Sequence, residues 1–171
     1  MGIFEQWGWS WTNWHKGERG EYWFLGQIAI LIIFALLPIH PILEKTVLSP
    51  SIQTGLLVMA GVVEAGAIVL VGKGLLDLGR SLTPLPYPRE DGELVMTGVY
   101  GIVRHPLYGG IILGATGLVI FTLSWLHFLG LLSIILLLDR KATLEEKWLE
   151  QKYPGYDAYR SQVKKLIPWV W

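Results

Sequence analysis

Val103-Arg104-His105-Pro106-Leu107-Tyr108-Gly109-Gly110 sets a guanidinium, an imidazole and a phenol at the mouth of an apolar helix. Polar and ionisable groups are costly beside hydrocarbon, so groups held there are expected to bind or react with something. Pro106 suits a first helical turn, because the amide it lacks would have no partner there. His105 then falls at or beside the N-cap, and the free amides with the positive end of the helix dipole favour an anion such as a carboxylate in front of it. Gly109, Gly110 and Gly114 keep one face of the first turns free of bulk, so another group can lie against the backbone. The plainer account is a histidine that caps the helix and glycines that pack against a neighbour.

A second set of groups lies farther on. Asp139 to Leu149 contains no helix breaker and carries Glu145 and Glu146. Adjacent helical residues diverge by about 100°, so the two carboxylates cannot both face one partner squarely. Glu145 follows Lys141 at i, i+4 spacing and is expected to pair with it on a solvated face, leaving Glu146 freer to enter a pocket. Tyr153-Pro154-Gly155-Tyr156 predicts a turn. Beyond it, Asp157 to Ile167 reads as amphipathic, with Tyr159, Val163, Leu166 and Ile167 toward a membrane and Arg160, Lys164 and Lys165 toward acidic headgroups, closed by Pro168.

The elements that must position these groups are apolar. Of 171 residues, 52% are hydrophobic, gathered into runs at Tyr22–Leu43, Ile52–Val71, Leu107–Leu123 and Trp125–Leu138. The first two reach the roughly 20 residues that cross a hydrocarbon core of about 30 Å, and the last two, back to back around Ser124, read as a tight hairpin whose second arm continues past Asp139. The fold expected is therefore an all-α integral membrane protein with about four transmembrane helices, or five. No basic region or small-residue cleavage site precedes the first run, so Tyr22–Leu43 is expected to stay as an anchor rather than leave as a signal peptide.

Only Lys45 lies between the first and second runs, and no basic residue between the third and fourth. Lys16, Arg19, Lys73, Arg80, Arg89, Arg104 and the basic residues from Arg140 onward lie at the other ends. The positive-inside rule thus predicts a multi-pass protein with both termini, and any chemistry, in the cytoplasm. Trp7, Trp9, Trp11, Trp14, Trp169 and Trp171 read as interfacial anchors, with gating of lipid access as the alternative.

Other features narrow the chemistry. The absence of cysteine removes disulfides, thiolate metal sites and Cys nucleophiles. His15, His40, His105 and His127 form no i, i+4 pair, so no metal site is expected. Zero formal net charge argues against nucleic acid as partner. Pro38 and Pro41 should kink or end the first helix around His40. Gly55, Gly61 and Gly66 would let a neighbour approach the second span, where Glu64 is either a functional acid or a packed, hydrogen-bonded one. Pro84, Pro86 and Pro88 forbid helix between Gly72 and Gly98, which reads as a long cytoplasmic loop serving as a lid, a binding loop or a plain linker.

Taken in order, Leu94-Val95-Met96-Thr97-Gly98-Val99-Tyr100, the Arg104-His105-Pro106-Leu107-Tyr108 element, a helical hairpin, Glu145-Glu146, and Tyr153-Pro154-Gly155-Tyr156 with Tyr159 and Ile167-Pro168 closely resemble the isoprenylcysteine carboxyl methyltransferase family, among the membrane phospholipid methyltransferases. The resemblance covers roughly residues 75 to 168. It implies a membrane enzyme that moves a methyl group from S-adenosylmethionine to a lipid-like or prenylated acceptor, through a carboxylate, thiol or amine. Cytoplasmic loop and C-terminal helices would form the cofactor pocket. By position, Tyr100, His105, Tyr108, Gly109, Glu145, Glu146, Tyr156 and Tyr159 would bind the cofactor. Arg104 would hold the acceptor's anionic group or, alternatively, orient the cofactor carboxylate, and Glu145 or Glu146 would serve as base for an amine acceptor.

One membrane domain over 1–171 follows: a Trp-rich interfacial segment 1–21, two spans in 22–72 and a methyltransferase-like core in 73–171. Two other readings compete. Sterol reductases resemble this family in C-terminal architecture, which would imply an NADPH-dependent membrane reductase. A scaffold or small transporter would make Glu64 the functional acid. The acceptor and the oligomeric state are left open.

Overall fold

In the computed structural model, which describes residues 14–43 and 45–167, the apolar runs are helices: α1 (Glu21–Leu36), α2 (Pro50–Leu78), α3 (Pro106–Thr122) and α4 (Trp125–Lys152), followed by a short α5 (Tyr156–Gln162). No strand forms among the described residues beyond isolated bridges at Pro41–Ser124 and Val103–Lys164. Trp7, Trp9, Trp11, Pro168, Trp169 and Trp171 fall outside the described residues. Trp14 opens a single 3-10 turn, Trp14–Lys16.

Helix lengths differ from those of the apolar runs. Leu37 turns to an extended conformation (φ −59°, ψ 136°), as a residue preceding proline must, and α1 stops after 16 residues. Leu123, left-handed at φ 53°, ends α3 after 17. Both are apolar but short, and among the described residues one helix, Pro50–Ser81, is long and apolar enough to cross a membrane. Only 11% of its most apolar window is buried, unlike the core helix of a soluble domain. It outruns the predicted segment because nothing before Gly79 breaks it.

The close approach between α2 and α3 comes from Gly110 and Gly117 of α3 and from Gly74 of α2, where a Cβ would lie 2.8 Å from Leu107 Cδ2. A Cβ on Gly110 would lie 2.5 Å from Val71 Cγ2, and one on Gly117 the same distance from Glu64 Oε1, whereas Gly55, Gly61 and Gly66 of α2 have nothing within 4 Å. The expectation that these three α2 glycines serve as the contact face is therefore corrected.

At the end of the bundle far from the Arg104 element, Ser124 caps α4 by accepting from the His127 amide. Its Oγ also accepts from the His40 amide at 3.2 Å, while Ile42 N donates to Leu123 O and Trp125 N to His40 O. The segment after α1 is thereby strapped to the hairpin turn. Phe34, Ile112, Ala115, Leu131, Ile134, Leu138 and Leu166 form the core. Leu166 and Tyr159 thus face inward, and of the apolar face assigned to the membrane only Ile167 is well exposed. The physical reason is a competing surface: the core residues of α3 and α4 cover Leu166, and the Tyr100 turn holds Tyr159.

The proline-rich loop is packed against the bundle. Leu85 and Pro86 are fully buried, Tyr87 N donates to Arg19 O, and Tyr153 donates its hydroxyl to Gly92 O at 2.6 Å. Tyr87 meets Trp148 of α4 edge to face. The loop is a wall.

Candidate active site

The backbone on both sides of Arg104 is sewn to the segment after α5. Arg104 N donates to Lys164 O at 2.8 Å and His105 N to Lys165 O at 3.0 Å. Tyr159 donates its hydroxyl to Tyr100 O at 2.7 Å, fixing the 3-10 turn Gly98–Gly101 that carries Tyr100. This register explains Gly109: a Cβ there would come within 2.7 Å of Leu166 O. Gly109 lines neither of the two cavities described below. The space its missing side chain opens is taken by protein backbone.

Glu146 sits in the middle of the polar cluster, 3% exposed. Its Oε1 accepts from Arg104 Nε at 2.9 Å and Nη2 at 2.8 Å, and lies 3.2 Å from His105 Nε2. Burial opposes its ionisation, but the hydrogen bond to His105 and the Arg104 charge outweigh it and hold the carboxyl down to about 2. Arg104 Nη1 also donates to the carbonyls of Val163 and Arg160. The guanidinium is therefore a strut between α4 and the C-terminal segment, and it also borders both cavities described below. Glu146 is likewise the committed member of the acidic pair.

Glu145 takes the role expected of Glu146. Tyr108 donates its hydroxyl to Glu145 Oε2 at 2.7 Å, and that oxygen lies 3.9 Å from His105 Nδ1. The His105 and Tyr108 rings stack, with centroids 5.4 Å apart and planes within 5°. His105 is the N-cap residue of α3 without a side-chain capping bond, so its ring is used by the acids instead. Lys141, expected on a solvated face with Glu145, is buried. It donates to Gln27 Oε1 at 2.6 Å and Pro84 O at 3.2 Å, and burial, against the pull of Glu145, lowers its ammonium to about 8.

Two cavities meet here. The larger, about 300 Å³, is walled by Phe24, Val71, Leu75, Leu107 and Ile111, with Gln27 and Lys141 at its polar side. The smaller, about 80 Å³, lies toward the loop, among Ser81, Arg89, Glu93, Tyr153, Tyr156 and Tyr159. Tyr100, Arg104, His105 and Glu145 line both. Burial pushes the phenols of Tyr100, Tyr156 and Tyr159 well above the usual range, so all three are neutral hydrogen-bonding groups at physiological pH. Tyr156 Oη is buried with no partner among the described residues.

Lys141, Gln27, Phe24 and Thr83 are wall residues that sequence reasoning missed. The available signal was the i, i+4 relation of Lys141 to Glu145, which puts both on one face of α4. That face is covered by α1 and the loop rather than by water.

Fold and site together define a class: a helical bundle with a membrane-length apolar helix and, at one end, a buried polar cluster dividing two chambers. Residues 56–155 match the family model for phospholipid methyltransferases. The match takes in more than half of the chain, which belongs to that family and is thus a membrane methyltransferase. No curated protein matches it.

Proposed function

We propose that the protein transfers a methyl group from S-adenosylmethionine to a lipid-like acceptor. The carrying observation is the partition of Tyr100, His105 and Glu145, shared by an aromatic, polar chamber and a larger apolar one. Two substrates can meet across such a wall.

The residues fit this donor. The unpartnered Tyr156 hydroxyl and the Glu145 carboxylate suit its hydroxyls and ammonium, and the rings of Tyr100, Tyr153 and Tyr159 offer faces and edges to adenine. When bound, the donor supplies an electrophilic methyl on a sulfonium. The chain aligns the acceptor and excludes water, which suffices for a direct displacement by a carboxylate or thiolate. An amine acceptor must first lose a proton, and Glu145, open to both chambers, is the group to take it.

In this reading α1, α3 and the apolar half of α4 join α2 in crossing the bilayer, and the basic residues keep the site in the cytoplasm. The acceptor is a lipid-like or prenylated molecule drawn from the bilayer. Calorimetric titration of the detergent-solubilised protein tests the donor: saturable binding of S-adenosylmethionine or its demethylated product is expected, and binding of NADPH alone would overturn the proposal. Transfer of labelled methyl into a native lipid extract identifies the acceptor.

A further inference from the structure

Lys141 is a cation in the wrong company. Its side chain is 2% exposed, yet it borders the larger chamber, whose other walls are mostly aliphatic and aromatic. Both of its hydrogen bonds go to neutral oxygens, Gln27 Oε1 and Pro84 O. An ammonium has three donors, so one is left over. The rings of Tyr108 and Phe24 lie 5.1 and 5.9 Å from Nζ and supply only a weak attraction. Among the described residues Lys141 forms no ion pair: Glu145, one turn farther along the helix, attracts it without making contact and holds the Tyr108 hydroxyl instead. The other cation at this chamber, Arg104, is neutralised by Glu146. Buried charges are ordinarily paired.

The geometry points to Lys141 as the receptor for a headgroup anion, a carboxylate or phosphate, of an amphiphile whose apolar part occupies the chamber lined by Phe24, Val71, Leu75, Leu107 and Ile111. This rests on the reading of that chamber as the acceptor's. Gln27 of α1 and the Pro84 carbonyl of the loop hold the ammonium from two sides, so its spare donor is fixed in direction before the ligand arrives. The anion would then lie on the same wall as His105 and Glu145, at the passage to the smaller chamber. An acidic amphiphile is selected over a neutral one of equal chain length because only it completes the pair.

The test is binding of matched single-chain amphiphiles, a long-chain carboxylate, an alkyl phosphate and the corresponding alcohol, to the full-length protein in a nonionic detergent. The native protein is expected to prefer at least one anion over the alcohol by about tenfold or more, the scale of a charge-assisted hydrogen bond. Which anion wins separates a carboxylate from a phosphate headgroup. Lys141→Met should bring the preference to within about twofold, and Lys141→Arg should retain most of it. Gln27→Glu keeps the lysine but gives it an internal partner, and should abolish the preference as well. An anion preference that survives both Lys141→Met and Gln27→Glu in folded protein, or its absence from the native protein, overturns the assignment. Binding of the demethylated donor, measured on the same samples, reports separately on the methyltransferase reading: its absence alongside an intact, Lys141-dependent anion preference sinks that reading and supports the anion site.

Discussion

Tyr108 gives its hydroxyl to Glu145 at 2.7 Å while its ring lies parallel to the His105 imidazole. One phenol thus fixes a carboxylate and an imidazole on the wall between the two chambers. Glu145→Gln removes charge from that wall while leaving the Arg104–Glu146 pair intact. Its expected effect is about a tenfold loss in affinity for the demethylated donor, with little change in the unfolding midpoint, because a charge-assisted hydrogen bond is worth about 1.5–3 kcal/mol. Calorimetry and thermal unfolding of the same sample check both halves. Glu64→Gln, packed against Gly117 and lining neither chamber, should leave binding unchanged.

Glu146→Ala should act on the fold. It leaves Arg104 and His105 buried without their carboxylate, and breaking a buried pair costs about 3–5 kcal/mol. The expected readout is a large drop in the unfolding midpoint that saturating donor does not restore.

Stability should respond to pH at two places. The Glu146 carboxyl lies at about 2 in the folded protein, below its ordinary value of 4.5, so its contribution is complete above 4.5 and disappears as pH falls toward 2. Lys141 gives a slope of the same sign by relief of a penalty rather than gain of a contribution. Its ammonium lies at about 8 against an ordinary 10.5, so its burial weakens the fold fully below 8, and that penalty is relieved as pH rises to 10.5. Chemical denaturation across pH 7–10 should show a gain of roughly 3 kcal/mol that is absent from Lys141→Met.

Tyr156→Phe separates a structural from a binding role. A buried hydroxyl without a partner contributes nothing to the empty fold, so the variant should be as stable as the native protein or slightly more so. Donor binding should nonetheless weaken several-fold. Equal binding by both proteins would remove Tyr156 from the donor's contacts.

Gly110→Ala and Gly61→Ala should differ sharply. The first forces a methyl against Val71 and the α2 backbone, an overpacking that costs about 1–3 kcal/mol. At Gly61 there is nothing to meet, and the unfolding midpoint should hold or rise.

The helices and the hairpin were legible because apolar runs and prolines act locally: Pro38 stops α1, and Pro106 starts α3 with His105 at its cap. That Arg104, His105, Tyr108, Glu145 and Glu146 would gather in one place was legible for the same reason, since motif order survives in the chain. Their division of labour was not. Which acid is committed depends on whether Arg104 reaches α4 and on what covers Lys141, and both answers come from segments far away in sequence, residues 160–166 and the loop around Pro84. Amphipathic pattern likewise shows that Leu166 needs an apolar neighbour, but not whether that neighbour is lipid or α3.

The seam between residues 103–105 and 164–165 carries a temporal consequence. Chains are made from the N-terminus, so the carbonyls that receive the Arg104 and His105 amides are synthesised after every helix of the bundle. Until then Arg104 lacks its Val163 and Arg160 carbonyls and the smaller chamber lacks the Tyr159 side of its wall. Assembly order therefore acts as a safety catch: a nascent chain has an anchor well before it has a finished site.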